Sequence, residues 1–461
     1  MLQQTISPVD GRIYVERPLS DGPAIDRALE RARAAQGQWA RVSIAERVAL
    51  LERGVAAFKA NGTQIAAEIS WQMGRPIAHA PGEIRGFEER ARYMLSIAPH
   101  ALAPIDPGEK PGFRRQVKRV PLGVVAVIAP WNYPYLTSVN AALPALVAGN
   151  AVILKHSHQT PLCAERFTQA FHAAGLPEDV FQYLHLSHSD TSRLMADPRV
   201  ASVCFTGSVA GGHAVVESTA RGFATSGLEL GGKDPAYVRA DADLAHAVET
   251  LTDGAFFNAG QSCCGIKRIY VAEPLFRSFV EGVVALAEKY RLGSPIEEST
   301  TLGPVVRASA ADQVRRQVEE AVARGARQIV DVRHFPQSRP GTPYLAPQVL
   351  IDVDHSMPFM REETFGPAVG IMRVRSDEEA VALMNDSEFG LTAAIFSRDA
   401  AAAEALGDRV ETGTVFLNRC DYLDPALAWT GVKNSGRGCT LSCVGFEQLT
   451  RPKSYHFRIG P

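Results

Sequence analysis

Three short apolar runs, each stopped by a turn and separated by helical stretches, constrain the fold of this chain more than any other feature. Gly123-Val124-Val125-Ala126-Val127-Ile128 ends at Ala129-Pro130, Ala151-Val152-Ile153-Leu154 ends at Lys155, and Val203-Cys204-Phe205 ends at Thr206-Gly207. Continuous rather than alternating apolarity marks strands covered on both faces. Residues 141–147 and 162–174 between them carry helical spacing. Such alternation builds a parallel, doubly wound sheet. A second series follows Gly231-Gly232, with helices expected over 244–256, 276–290 and 314–322. Strands are expected there at 269–272, 368–374, 393–397 and 415–418. The expected fold class is α/β, with two such units.

The 461 residues suffice for two or three domains of roughly 100–200 residues each. Residues 28–59 and 83–97, rich in Ala, Glu and Arg, read as amphipathic helices. The basic segment 113–120 and the polar segment 448–457 read as extended arms. Such arms pair with each other or with a neighbouring subunit, because a long free edge is a liability. Lys plus Arg total 48 against 50 for Asp plus Glu, and this balance speaks against a nucleic acid or an acidic membrane as partner. No run approaches the ~18 apolar residues of a spanning helix, and the first residues lack the pattern of a signal peptide. Seven cysteines without a C-x-x-C pair favour neither a metal site nor a disulfide framework. A reducing, cytoplasmic setting is expected. Cys439 and Cys443, four apart, would share a face if they lay on a helix.

Doubly wound sheets bind ligands at the carboxyl ends of their strands, so the residues at those ends matter most. After the first run stand Pro130-Trp131-Asn132-Tyr133-Pro134; an Asn amide here can donate to a developing oxyanion, although alone it is more readily a turn residue. Lys155-His156-Ser157-His158 closes the second run, with a lysine able to reach ribose hydroxyls. Thr206-Gly207-Ser208 and Gly211-Gly212 open a helix whose N–H groups suit a pyrophosphate, without forming G-x-G-x-x-G or a Walker loop. In Leu228-Glu229-Leu230-Gly231-Gly232-Lys233 the carboxylate lies between leucines, where poor solvation raises its pKa toward general-base duty. Asn258-Ala259-Gly260-Gln261-Ser262-Cys263-Cys264 puts adjacent thiols on a turn, and composition does not choose between them.

Taken in this order, the segments resemble the aldehyde dehydrogenase superfamily over essentially the whole chain. Gly260-Gln261-Ser262-Cys263 matches its Gly-Gln-x-Cys motif, and Leu228 to Lys233 match its Leu-Glu-Leu-Gly-Gly-Lys motif. Glu363-x-Phe365-Gly366-Pro367 and Gly431 to Gly438 match two further signatures. The resemblance implies oxidation of an aldehyde to its acid, with Cys263 as nucleophile, Glu229 as base for water and Asn132 in the oxyanion hole. It implies a dinucleotide held by Trp131, Lys155, His158, Gly207, Ser208, Gly212, Leu230, Glu363 and Phe365, and no metal. It also implies a dinucleotide-binding domain (1–102 and 122–231), a catalytic domain (232–444) and an arm (103–121 and 445–461) that makes a homodimer or homotetramer.

Two departures qualify the carry-over. His158 stands where many NAD-preferring relatives have Glu; NAD is still expected, with NADP open, because no Arg or Lys flanks it. Ala141 and Thr440 replace a Lys and a Glu proposed to relay protons. By position, Tyr133, Leu136, Asn140, Phe257 and Trp429 line a substrate tunnel, joined by Trp131, Thr137, Tyr422 and Leu423. With no arginine expected there to hold a second carboxylate, a hydrophobic aliphatic or aromatic aldehyde is favoured. The alternatives are a catalytically silent relative with a structural or binding role, and a thiol esterase using the same Cys–Glu pair.

Overall fold

The first apolar run becomes the strand Val124–Ala129, buried along its whole length, and everything around the site is arranged on it. A computed structural model describes residues 1–460; Pro461, the last residue of the expected arm, lies outside them. Val124–Ala129 pairs in parallel with Ala151–His156 on one side and with Val200–Thr206 on the other. Phe181–Tyr183 and Thr225–Glu229 extend this sheet at its two flanks, and the two-residue strand Gly436–Arg437 closes one edge antiparallel. Because the main strands run in parallel, their carboxyl ends share one edge. Lys155 lies opposite Ile128, and Glu229 opposite Thr206.

A seven-stranded sheet forms beyond residue 233. Its order is Arg327–Gln328, Gln348–Ile351, Ala368–Val374, Ile266–Ala272, Asp234–Val238, Thr392–Phe396 and Thr414–Leu417. The helix expected over 244–256 is present as Leu244–Phe256 with an Asp243 cap, and the strand expected at 368–374 is present as well. The helical stretch at 28–59 divides into Gly22–Trp39 and Ile44–Ala60. The reason is local: Ser43 and Glu46 form a reciprocal capping box that starts a second helix.

The two arms pair with each other, Phe113–Pro121 against Thr450–Arg458, antiparallel from Phe113↔Arg458 to Pro121↔Thr450. Cys439 and Cys443 do not share a helix; Leu441 and Ser442 between them have φ of 60° and 47°, which a right-handed helix does not allow. The hairpin Leu2–Ile6 with Ile13–Pro18 escapes the sequence pattern. It supports the sheet edge, since Gln3 and Thr5 side chains both donate to His158 O.

The helix Pro81–Ala101 carries several residues of the site, and an aromatic cluster holds it in place. Phe87 packs on Phe58 at 4.0 Å between ring centroids and edge-on to Phe167 at 5.0 Å. Each fully buried ring is worth about 1.5–3 kcal/mol, enough to hold the polar face of this helix rigidly toward the site. Among the described residues no helix is long and apolar enough to cross a membrane.

Candidate active site

Cys263 follows a backbone bent left-handed for three residues. After the helix Leu244–Phe256, Asn258, Ala259 and Gly260 have φ of 53°, 54° and 65°. Asn258 tolerates this because its amide bonds locally, Nδ2 donating to Gln261 O at 3.2 Å; the same Nδ2 also donates across the fold to Asn132 O at 3.1 Å. At Gly260 space is decisive as well, since a Cβ would lie 2.2 Å from Gly366 O. Lys267 Nζ clamps the turn by donating to Gly260 O at 2.7 Å and Gly366 O at 2.9 Å. Gln261 Oε1 accepts from Val306 N–H at 2.7 Å. The thiols therefore sit on a braced loop.

Burial separates the two cysteines. Cys264 is 3% exposed and donates its thiol to Asp421 Oδ1 at 2.9 Å. Its hydrogen bond with Cys263, and then burial, push its pKa well up, so it stays a thiol. Cys263 is partly exposed and faces two cavities. One, of about 340 Å³, is walled by Tyr133, Leu136, Asn140, Phe257 and Trp429. The other, of about 280 Å³, is lined by Trp131, Gly207, Ser208, Leu230, Glu363 and Phe365. Thr206, Glu229 and Cys263 line both. The thiol and the carboxylate thus stand where the two spaces meet.

Two expectations about the first cavity need correction. Trp131 turns to the second cavity, edge-on to Phe365 at 5.6 Å. Arginines are present after all: Arg75, Arg85 and Arg90 line the first cavity. Local sequence does not reveal them, because they come from a segment some fifty residues before Asn132, Arg85 and Arg90 on the helix Pro81–Ala101 and Arg75 just ahead of it.

Glu229 ends its strand with both oxygens occupied. Thr440 Oγ1 donates to Oε1 at 2.5 Å, and Thr206 Oγ1 donates to Oε2 at 2.9 Å. Burial raises its pKa, and the two hydroxyls pull it part of the way back. Thr440, which replaces an acid in the resemblance, therefore contacts the carboxylate directly, whereas Ala141 is core.

Asn132 is buried, with Nδ2 donating to Gln261 O at 3.2 Å, two residues before Cys263. Arg75 and Glu83, which the sequence did not single out, hold it there. Arg75 donates to Asn132 O at 2.5 Å and to Asn258 Oδ1 at 3.0 Å, and is ion-paired with buried Glu83. Glu83 in turn accepts from Tyr135 N at 2.8 Å and Leu136 N at 2.9 Å, capping the helix Pro134–Val147. The pair binds oxyanion candidate, cysteine loop and helix terminus into one unit. No local signal reveals it, because its contacts span up to 183 residues.

The second cavity suits a dinucleotide by its unmet polar groups. Gln317 Oε1 is buried without a partner. The helix Val209–Thr219 begins there, capped by Ser208, with free first-turn N–H groups of the kind that bind phosphate. Glu363 Oε1 accepts from Gly232 N at 3.3 Å. Lys155 and His158 stand at the neighbouring strand end rather than in this cavity. Lys155 is buried and its pKa is lowered to about 8 by burial. His158 Nε2 donates to Leu186 O at 2.7 Å, and burial lowers its pKa, so the ring is neutral near pH 7. Gly212 packs on Leu230, which a Cβ would meet at 2.7 Å.

Comparison with known proteins bears on the family and the fold. The family model for the aldehyde dehydrogenase family matches residues 2–455. The succinate semialdehyde dehydrogenase (NAD(P)+) Sad of Escherichia coli is 34% identical over 445 residues, covering 96% of each chain. The succinate-semialdehyde dehydrogenase (NADP+) of Deinococcus radiodurans is 34% identical, covering 97% of this chain and 93% of that one. The crystal structure of succinic semialdehyde dehydrogenase from Streptococcus pyogenes with NADP+ superposes with a TM-score of 0.94 at 29% identity, covering 99% of this chain and 100% of the other. On the motifs, the fold and these likenesses together, the chain belongs to the aldehyde dehydrogenase family.

Proposed function

We propose that this enzyme oxidises an aldehyde to its carboxylic acid with NAD or NADP, through a covalent intermediate on Cys263. The observation that carries the reading is the placement of Cys263 and Glu229 at the junction of the two cavities. The Cys263 thiolate attacks the aldehyde carbon, forming the C–S bond and an oxyanion. One Asn132 Nδ2 proton already bonds Gln261 O; the other, with the Cys263 backbone N–H, stabilises the oxyanion. A nicotinamide cofactor held in the second cavity, beside Trp131, Leu230 and Phe365, would supply the two-electron acceptor for the hydride of that carbon, so that Cys263 would then carry the thioester. Glu229 removes a proton from water as it adds to the thioester, and collapse returns the thiolate and the acid. Lys155 and Glu363 would hold the riboses, and Gly207-Ser208 with Gly212 would meet the pyrophosphate. Neutral His158 lacks the negative charge that would repel a 2′-phosphate, which supports use of either cofactor.

The domains take roles on the same reading. The first sheet with the N-terminal helices (1–102 and 122–231) binds the cofactor, residues 232–444 carry the nucleophile, and the paired arms (103–121 and 445–461) make oligomer contacts. As for substrate, the walls of Leu136, Phe257 and Trp429 support a hydrophobic aldehyde. The relatives named for succinate semialdehyde, and the arginines at the cavity, support a smaller polar one.

The test is mass spectrometry of the purified enzyme with aldehyde and cofactor. Cys263→Ala should lose oxidation altogether. Glu229→Gln should accumulate an acyl adduct on Cys263; rapid turnover without an adduct would remove Glu229 from the base role.

A further inference from the structure

The cavity in front of Cys263 contains more hydrogen-bond donors than the protein satisfies. Arg90, on the helix Pro81–Ala101, is 9% exposed. Its Nη1 donates to Leu136 O at 2.8 Å and Asn140 Oδ1 at 3.3 Å; Nε and Nη2 make no hydrogen bond, and no carboxylate of the described residues forms an ion pair with it. Asn140 is 2% exposed, and its Nδ2 is buried without a partner. Turning the amide over would not help, because it would set its N–H groups against the guanidinium. Both residues line the cavity.

A buried guanidinium without a counter-charge costs several kcal/mol, and the nearby acids are committed elsewhere. Glu83 is taken by Arg75 and two backbone amides. Glu229 is held by two threonines, Asp421 by Ser262 and Cys264, and Glu89 by Tyr422. Arg75 is neutralised by Glu83, and Arg85 is exposed. One buried positive charge is therefore left over, beside an unanswered amide donor.

We propose that Arg90 and Asn140 bind a carboxylate at the far end of the substrate, so that the enzyme takes ω-oxo acids. This rests on the aldehyde-oxidising reading above. A planar carboxylate can accept from the guanidinium fork and the amide together, and its single charge matches the single buried cation at the cavity that has no carboxylate partner. Leu136, Phe257 and Trp429 then cover the methylenes between carboxylate and aldehyde. The apolar walls and the relatives' semialdehyde substrates are reconciled by a substrate charged at one end only.

The test is a kcat/KM comparison with NAD and NADP for succinate semialdehyde, its uncharged isostere 4-methylpentanal, and glyceraldehyde 3-phosphate. The wild type should prefer the semialdehyde over the isostere by on the order of 10- to 100-fold, the range for a hydrogen bond to a charged group, and glutarate should compete with it. Arg90→Gln should collapse that ratio, chiefly through KM, and Arg90→Lys should restore part of it. Because Arg90 also holds the Leu136 carbonyl, the wild-type ratio and glutarate inhibition test the idea without any variant. A wild type that prefers 4-methylpentanal or the phosphate, or an Arg90→Gln ratio equal to wild type, would overturn the proposal. If no aldehyde reduces either cofactor, the parent reading fails, and this one with it.

Discussion

Replacing Thr440 by Val should move the pH dependence of thioester hydrolysis upward. Thr440 Oγ1 lies 2.5 Å from Glu229 Oε1, and a hydroxyl donating to a carboxylate favours the charged form. Burial, the larger influence, raises the Glu229 pKa, while Thr440 and then Thr206 oppose it. Valine keeps the shape and removes only the donor, so the carboxylate becomes harder to ionise. A hydrogen bond to a charged group is worth about 1.5–3 kcal/mol, and at 1.36 kcal/mol per unit the acidic limb should shift by about one to two pH units. On the proposed mechanism Glu229 acts as a base in its ionised form, so the direction is toward higher pH. The assay is decay of preformed acyl-enzyme by quenched flow between pH 5.5 and 9, which isolates hydrolysis from hydride transfer. Thr440→Ser should keep the wild-type limb. A Thr440→Val limb that stays in place or moves downward would refute the coupling, as would Ser and Val variants that behave alike.

Two further outcomes are expected. Asn132→Ala should slow the first turnover about 100- to 1,000-fold, as loss of an oxyanion donor does; stopped-flow detection of reduced cofactor checks it, and a loss confined to KM would contradict the role. Burial lowers the pKa of His156 to about 3, with Nε2 donating to Pro134 O and Nδ1 accepting from Thr160. Below its ordinary value of 6.5 the unfolded chain takes up a proton that the folded chain refuses until about pH 3. Stability should therefore fall as pH drops through that window, by up to about 1.4 kcal/mol per unit from this group. Denaturant unfolding of wild type and His156→Gln between pH 4.5 and 7 should show a shallower slope in the variant.

The sequence by itself determined the parts of this protein that depend on local pattern. The strands at 124, 151 and 200 and the helix Leu244–Phe256 follow from which residues are apolar and at what spacing, whereas the choice of the two arms to pair with each other was settled only by the structure. The Gly-Gln-x-Cys register likewise singled out Cys263, and the burial of Cys264 supplies an independent reason for the same choice. Where local conformation departs from the average, spacing alone decides nothing: Cys439 and Cys443, four apart, would share a face on a helix, but Leu441 and Ser442 between them turn left-handed. Only the tertiary structure decided which polar groups meet. Thr440 reaches Glu229 across 211 residues, Arg75 reaches Asn258 across 183, and Arg90 reaches Asn140 across 50. Periodicity records which face of an element is buried, not which neighbour it is buried against. A buried charge is defined by that neighbour, since low dielectric makes both its pairing and its lack of a partner count heavily. For that reason the candidate nucleophile Cys263 was legible from residue order, while the unpaired Arg90 came into view only with the helix Pro81–Ala101 packed over the cavity.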